Sequence, residues 1–338
     1  MEETSFIKGK RKYLYGVIIA FAALAAGLFF YFYSFYHGPA DGTVTVEIPK
    51  NATGREIGEM LEEKGVITVF RAMLLATGNG KALKSGYYTF RRGSTVAETI
   101  ADLKNGKEEV VKITVPEGFT AAQIADVLQK AGLECYGDFL HEAETYAPFP
   151  YMYGPEEAKV KGEGFLFADT YEIPKSCSAR QIADMMYRRT DEMLTPALRR
   201  RAEEKHLSIH ALMTIASMVE REARLKEDQV PIASVILARL EKQMPLQIDA
   251  TVQYALGRQK EELTMADTKI DSPYNTYERQ GLPPGPISSP GMDAVRAVLD
   301  AAPGEYLYYV AEKDGRHVFT KTLEEHQAEI DRIYGTDD

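Results

Sequence analysis

The chain has 338 residues, 45% of them hydrophobic, and its mean hydropathy of -0.28 excludes a protein that crosses a membrane many times. The 50 acidic and 40 basic side chains give a net charge of -10, which argues against nucleic acid as a partner, because phosphate-binding proteins carry a basic excess. Two cysteines are too few for a disulfide scaffold or a cysteine-rich zinc site, and the sequence predicts neither a metal nor a cofactor.

The first predicted element is an uncharged stretch at residues 13–36, which is long enough to cross a bilayer as a helix. Tyrosines lie near both of its ends, and four basic side chains precede it within residues 8–12. We therefore expect a single transmembrane helix with a cytoplasmic tail at 1–12 and an extracytoplasmic or periplasmic remainder. A cleaved signal peptide is the alternative, although its apolar region would be shorter.

A strand, a turn and a helix occur at 44–65 and again at 111–132. In each copy an alternating strand ends at proline, and Thr53 or Thr120 is followed three residues later by Glu or Gln, the pattern of a capping box. The first copy lies in a predicted α+β module at 43–110 that resembles a LysM domain, a glycan-binding module of cell walls. A small unit that only spaces the next domain from the membrane fits the pattern equally well.

One carboxylate falls inside the apolar stripe of a predicted helix that follows Ser208. Leu212 and Met213 lie on the buried face of this helix, and Glu220 lies on the same face. Glu222 points away from that face. Because burial disfavours an ionised carboxyl, we expect a raised pKa at Glu220, which is the property of a general acid. A buried structural glutamate neutralised by an arginine is an equally good interpretation.

Two later segments carry candidate substrate-binding side chains. These are Gln247, Asp249, Tyr274, Asn275 and Tyr277. The first two alternate along an extended segment, a pattern that fits the lining of a groove, although for Asp249 the N-cap of the next helix is the slightly favoured interpretation. The other three lie in a proline- and glycine-rich stretch at 272–291, which is typical of a long rigid loop. Tyrosine rings stack on sugars and asparagine hydrogen-bonds their hydroxyls, so we predict sugar binding, with a packed surface loop as the alternative.

The C-terminal part begins with two short strands within 306–319 that flank an Asp-Gly turn, which predicts a hairpin. A charged helix is predicted over 322–334. His317 and His326 are too far apart, and too weakly supported by acidic neighbours, to indicate a metal site. The hairpin and the last helix therefore predict architecture and no chemistry.

Several of these segments follow one another in the order typical of one family. They are IASMVERE (215–222), LQIDATVQYALG (246–257), SPYNTYERQGLPPGPISSPG (272–291) and YLYYVA (306–311). Together with the N-terminal span, they make the chain resemble the endolytic murein transglycosylase family, also called MltG or YceG-like. The resemblance implies an α+β fold, with a catalytic transglycosylase domain at 111–338 after the transmembrane helix and the LysM-like module.

The resemblance also implies a single-pass membrane enzyme that cuts nascent peptidoglycan strands internally, ends their elongation and works beside the peptidoglycan synthesis machinery. The family's catalytic glutamate is carried over to Glu220. As a lytic transglycosylase, Glu220 would protonate the glycosidic oxygen between N-acetylmuramic acid and N-acetylglucosamine. Its carboxylate would then take the C6 hydroxyl proton as a 1,6-anhydro ring closes. One acid suffices because no water is activated. Ala168 stands where the family pattern has proline.

Two other functions compete with lytic cleavage. A hydrolytic muramidase would need a second carboxylate beside Glu220, and Asp169 and Asp249 are the candidates. A non-catalytic scaffold would use the LysM-like module for cell-wall binding and would not need Glu220. Anhydro ends on the digested strands indicate lytic cleavage, whereas reducing ends indicate hydrolysis.

Overall fold

The computed structural model describes residues 42–49, 52–68, 72, 85–105, 110–133, 135–260 and 262–335, together with five residues between 21 and 28. The predicted tail at 1–12 and most of the predicted span at 13–36 lie outside these residues. Within the described part of the chain, no helix is both long enough and apolar enough to cross a bilayer.

The chain divides into two compact units. One consists of Met1–Val110 with Pro174–Ser176, and the other of Val111–Ile173 with Cys177–Asp338. The first unit contains strands β1 (Thr43–Ile48) and β2 (Gly86–Arg91) and helices α1 (Gly54–Glu63) and α2 (Val96–Asn105). The two strands pair antiparallel, and their inward side chains form a small core with the helices. This unit is a small α+β module, and its likeness to LysM stays a prediction.

The remaining elements alternate short strands with many helices. The strands are β3 (Val110–Thr114), β4 (Thr170–Pro174), β5 (Tyr308–Ala311) and β6 (His317–Thr320). The helices are α3 (Ala121–Lys130), α4 (Tyr136–Thr145), α5 (Ala179–Met193), α6 (Pro196–Glu204), α7 (Ile209–Glu222), α8 (Gln229–Glu241), α9 (Asp249–Leu256), α10 (Met292–Asp300) and α11 (Leu323–Tyr334). Strand β3 pairs with β4, and β5 with β6 as the predicted hairpin. The fold is therefore mixed α+β.

The predicted capping boxes are confirmed. At Thr53 the side-chain oxygen accepts from the amide three residues on, and Glu56 Oε2 accepts from the Thr53 amide at 2.7 Å. Thr120 begins α3 with the same reciprocal pair of hydrogen bonds. Each box satisfies two amides that the first helical turn leaves without an intrahelical acceptor. The two copies thus begin their helices in the same way, and this start is determined by residues that are close together in the sequence.

Helix α7 lies in the core of the second unit, where it contacts α6, α8, α9 and α10. Ser208 caps it as predicted, since its hydroxyl accepts from the amide of Ala211 at 3.0 Å. Every residue from Leu212 to Val219 is buried. After this buried run, the polar side chains of the last turn of α7 leave the core, and this turn positions the candidate site.

Candidate active site

The last turn of α7 carries two glutamates, Glu220 and Glu222, on opposite sides of the helix, because residues two apart are turned by about 200°. Both side chains are half-buried. Arg221 lies between them, and its charge lowers the pKa of each against the larger effect of burial. The structure therefore offers two candidate acids, and each has different neighbours.

Glu220 faces the loop that precedes α10. The amide of Gly291 donates to Glu220 Oε2 at 3.1 Å. Burial raises the pKa of Glu220, as the apolar stripe predicts, and the negative charges of Glu117 and Asp293 raise it further. The Gly291 amide favours the ionised form and opposes this shift. Glu220 is therefore a carboxyl group with a raised pKa and two acidic neighbours.

Glu117 is the acidic neighbour of Glu220 that the sequence did not single out. Its loop is fixed to the loop before α10 by two backbone hydrogen bonds of 2.8 Å, from Gly118 to Ser289 and from Ser289 to Phe119. Gly291 has no side chain, and a Cβ there would collide with the Glu117 carboxylate. The two carboxylates thus meet at one glycine, and this contact between distant segments has no sequence signal.

Glu222 faces the N-terminus of α9 and strand β5. The hydroxyl of Tyr309 donates to Glu222 Oε2 at 3.1 Å, and the amide of Ala250 is a second donor. Burial raises the pKa of Glu222 to about 7, and the negative charge of Asp249 also raises it, whereas the two donors lower it. The prediction that Glu222 lies off the apolar stripe holds, but β5 and α9 cover that side of the helix.

Three of the predicted substrate-binding residues lie on the Glu222 side. The Tyr277 hydroxyl donates to Asp249 Oδ1 at 2.5 Å. Asp249 does not cap α9, because the helix begins at this residue and its carboxylate stays exposed. Gln247 is also exposed, with a left-handed φ of 51°, and its amide donates to the Thr276 carbonyl at 3.0 Å. The structure therefore brings Asp249 and Tyr277 close to Glu222, and Gln247 is held beside them by Thr276 and Arg239. The contacts of Glu220 are with other segments.

Tyr274 and Asn275 have a different placement from the one predicted. They are 1% and 0% exposed, respectively, so neither presents its side chain to a sugar. The Asn275 amide group donates to the carbonyls of Thr268 and Ile270, and its oxygen accepts from the Tyr277 amide at 3.0 Å. These contacts make Asn275 a brace inside the loop, which fixes the backbone that carries Tyr277.

Arg239, on α8, connects the two segments that surround Glu222 by hydrogen bonds. It is 7% exposed and donates to the Leu307 carbonyl at 2.6 Å and to the Leu246 carbonyl at 2.7 Å. The first carbonyl leads into β5 and the second into the segment before α9. The rest of α8 buries mainly apolar side chains. An arginine inside that apolar helix was the available signal of a buried hydrogen-bonding role.

His317 supports Tyr309 from the neighbouring strand. Asp228 Oδ2 accepts from the His317 amide at 3.0 Å and lies 2.8 Å from its ring Nδ1. The imidazole meets the Tyr309 ring edge-on, with centroids 5.6 Å apart. Sequence reasoning considered His317 only as a metal ligand. Within the described residues, no group of three or more His, Cys, Asp and Glu side chains is placed to hold a metal ion.

A further buried carboxyl, Glu163, lies at a cavity of about 390 Å³ that Arg221 and Tyr254 also line. Burial raises the pKa of Glu163 to about 7. Its oxygens accept from the Ala121 amide at 3.0 Å and from the Tyr254 hydroxyl at 3.1 Å. Because both oxygens have protein donors, Glu163 connects α3 to α9 and is best explained as a structural residue.

The two carboxylates named for the hydrolytic alternative have different positions. Asp249 lies within electrostatic range of Glu222. Asp169 pairs with Arg189 at 2.8 Å and accepts from the Thr170 amide at 2.7 Å. Of these two, Asp249 is the one that combines exposure with proximity to a candidate acid.

Comparison with known proteins identifies the relatives of this chain. The model of the YceG-like family matches residues 46–332. An endolytic murein transglycosylase of Streptococcus pneumoniae is 31% identical over 318 residues, which cover 85% of this chain and 58% of that protein. This chain thus spans less than two thirds of the pneumococcal relative. An endolytic murein transglycosylase of Bacillus subtilis is 33% identical over 299 residues, which cover 84% and 83% of the two chains.

A solved structure gives the same relationship. The crystal structure of a yceG-like protein from Listeria monocytogenes superposes with a TM-score of 0.61 at 33% identity. The superposition covers 85% of this chain and 99% of the Listeria chain. Both the sequence and the fold therefore relate nearly all of the described residues to one group of proteins.

Proposed function

The chain belongs to the YceG-like family, and from this premise we propose that it is an endolytic lytic transglycosylase of peptidoglycan. It cleaves the bond between N-acetylmuramic acid and N-acetylglucosamine within a strand and leaves 1,6-anhydro ends. The observation that carries this proposal is the half-buried Glu222, which accepts a hydrogen bond from Tyr309 and lies beside the exposed Asp249, which a sugar can reach. Burial raises the pKa of Glu222 to about 7, which suits an acid at neutral pH.

Two glutamates are candidates for the proton donor. Glu220 is the candidate that the sequence favours, and its raised pKa supports the role. Glu222 has the pKa that suits an acid at neutral pH, and the exposed Asp249 and the half-buried Tyr277 lie on its side of the helix. Since substrate and acid must meet at one place, we assign proton donation to Glu222 and keep Glu220 as the alternative.

In the proposed reaction, protonated Glu222 gives its proton to the glycosidic oxygen while the bond from that oxygen to C1 breaks. The C6 hydroxyl oxygen of the muramic residue then bonds to C1, and its proton passes to the Glu222 carboxylate. The acid is restored and no water is consumed. A pKa near neutrality suits a group that must donate and accept in turn.

We also propose that residues 13–36 anchor the enzyme in the cytoplasmic membrane, with the catalytic unit outside and the module at 43–110 bound to glycan. The uncharged length and the basic residues before it support the anchor. Work beside the peptidoglycan synthesis machinery follows from the proposed substrate, the nascent strand. A reporter fused at the C-terminus that is active only outside the cytoplasm would test the orientation.

The proposed activity is tested by digesting purified glycan strands with the full chain in detergent and analysing the ends by mass spectrometry. We expect internal cuts with 1,6-anhydro ends, and no such ends from a Glu220→Gln, Glu222→Gln double variant. Reducing ends would support the muramidase instead. Intact strands with the wild-type protein would support a non-catalytic scaffold.

A further inference from the structure

We propose that Asp249 is a second catalytic residue, whose carboxylate, oriented by Tyr277, stabilises the positive charge that develops on the sugar ring beside Glu222. This inference rests on the proposed function. It gives Asp249 a role in the chemical step, beyond the substrate contact that the sequence predicts. It also supplies the stabilising group that a mechanism with one acid otherwise lacks.

The N-terminus of α9 brings the two carboxylates together. Asp249 is the first residue of the helix, and the amide of the next residue, Ala250, donates to Glu222. A helix N-terminus favours negative charge, so it supports both groups at their meeting point. The Ala250 amide, next to Asp249, thus joins the first turn of α9 to Glu222 on α7.

Tyr277 orients the Asp249 carboxylate. Its hydroxyl donates to Oδ1 at 2.5 Å, and Asn275 holds the Tyr277 backbone in turn. Within the part of the chain that the structure describes, no hydrogen bond reaches the other oxygen, Oδ2, and Asp249 is exposed. One oxygen is thus used for positioning, and the other can face a sugar.

The charge of Asp249 is not neutralised by the arginines nearby. Arg239 acts electrostatically on Tyr277 and Tyr309, but its hydrogen bonds go to backbone carbonyls and to Gln247 Oε1, and none of them reaches Asp249. Arg221 lies on α7 beside Glu222 and donates to the carbonyl of Gly118 at 3.4 Å. No described residue forms an ion pair with Asp249. No described cation is therefore placed against the free oxygen of its carboxylate.

The reaction needs such a charge at one particular moment. As the bond to the leaving oxygen breaks, C1 and the ring oxygen become positive before the C6 hydroxyl has bonded. Glu222 becomes negative only as its proton departs, whereas the carboxylate of Asp249 takes no part in that proton transfer. A charge that is already in place stabilises a transition state without reorganisation. Asp249 exchanges no proton and forms no bond, so the balance of the reaction is unchanged.

The test is Asp249→Asn in the full chain, assayed on glycan strands with separate measurement of kcat and KM. Asparagine keeps the shape and the acceptor for Tyr277 but loses the charge. We expect kcat to fall about 10²- to 10³-fold with KM nearly unchanged, and the remaining product to keep its anhydro ends. Asp271→Asn is the matched control, because the Asp271 side chain is 98% exposed on a loop.

A pH profile gives a second measurement that a purely structural role would not produce. The charge of Asp249 raises the pKa of Glu222, so Asp249→Asn should move the alkaline limb of kcat to lower pH. Tyr277→Phe keeps the charge but releases its orientation, and we expect a smaller fall in kcat. It also tests the proposal if Asp249→Asn fails to fold.

The outcomes separate the inference from the proposed function. If the wild-type protein releases anhydro ends and Asp249→Asn or Tyr277→Phe retains kcat within about twofold, the inference is overturned and the proposed function stands. If the wild-type protein releases reducing ends that Asp249→Asn abolishes, Asp249 activates water and both are wrong. If the wild-type protein cuts no strand, the proposed function itself fails.

Discussion

The two sides of the last turn of α7 carry the same side chain in different surroundings. On one side, Glu220 accepts one amide hydrogen bond and faces two further acids, Glu117 and Asp293. On the other, Glu222 accepts from a tyrosine and from a helix N-terminus, and burial raises its pKa to about 7. The pKa of a glutamate at the end of this helix is therefore set mainly by the other segments that pack against its side chain, and only partly by its own helix.

The sharpest test of this difference exchanges each glutamate for its neutral isostere. Glu222→Gln should reduce strand cleavage by about 10³-fold or more, since a donor that also acts as base is lost. Glu220→Gln should cost less than about tenfold, because the Glu222 side stays intact. Both rates are measured from anhydro ends released per unit time.

Glu241→Gln serves as the control for both variants, because Glu241 is an exposed residue at the end of α8. Equal thermal unfolding temperatures for the three variants show that differences in rate come from chemistry. The assignment of Glu222 fails if Glu220→Gln is the inactive variant. In that case the acid is the residue that the apolar stripe predicts.

The Glu222 side should also depend on Arg239 for its stability. Arg239→Met removes the donors to the buried Leu246 carbonyl and to the partly buried Leu307 carbonyl, so we expect a loss of about 3 kcal/mol in the free energy of unfolding. Urea unfolding of the full chain in detergent measures this loss. Arg200→Met, at an exposed position of α6, should change stability by less than about 0.5 kcal/mol.

A smaller effect on the pH dependence distinguishes the two sides again. The Tyr309 hydroxyl donates to Glu222 and so favours its ionised form. Tyr309→Phe should raise the pKa of Glu222 and move the alkaline limb of kcat to higher pH, by less than about one pH unit for one hydrogen bond. A pH series of initial rates measures the limb.

Glu117→Gln is the matched variant on the Glu220 side. The charge of Glu117 raises the pKa of Glu220, so its removal should lower that pKa and leave the limb in place if Glu222 is the acid. A limb that moves to lower pH with Glu117→Gln, and stays unchanged with Tyr309→Phe, would assign proton donation to Glu220.

Local features of this fold could be predicted from the sequence. Thr53 and Thr120 begin helices with capping boxes, Ser208 caps α7, and an Asp-Gly pair turns the hairpin. Each of these depends on residues within a few positions of one another, so their pattern is visible in a single segment.

The content of the candidate site was predictable only in part. Helical periodicity correctly separates the two faces that carry Glu220 and Glu222. It does not show that Tyr309, 87 positions after Glu222, covers the second face. Nor does composition distinguish Tyr277, which is half-buried beside Asp249, from Tyr274, which is buried in the same loop. These differences depend on tertiary packing, which cannot be predicted from the spacing of residues along the chain.

The cover of Glu222 has a consequence for the order in which the protein matures. The donors to Glu222 come from α9 and from β5, which follow it in the chain. Until both have closed over α7, residue 222 is an ordinary surface glutamate, ionised at neutral pH and unable to protonate an ether oxygen. With Glu222 as the proposed acid, a chain synthesised from its N-terminus has no proton donor until α9 and β5 have folded onto α7.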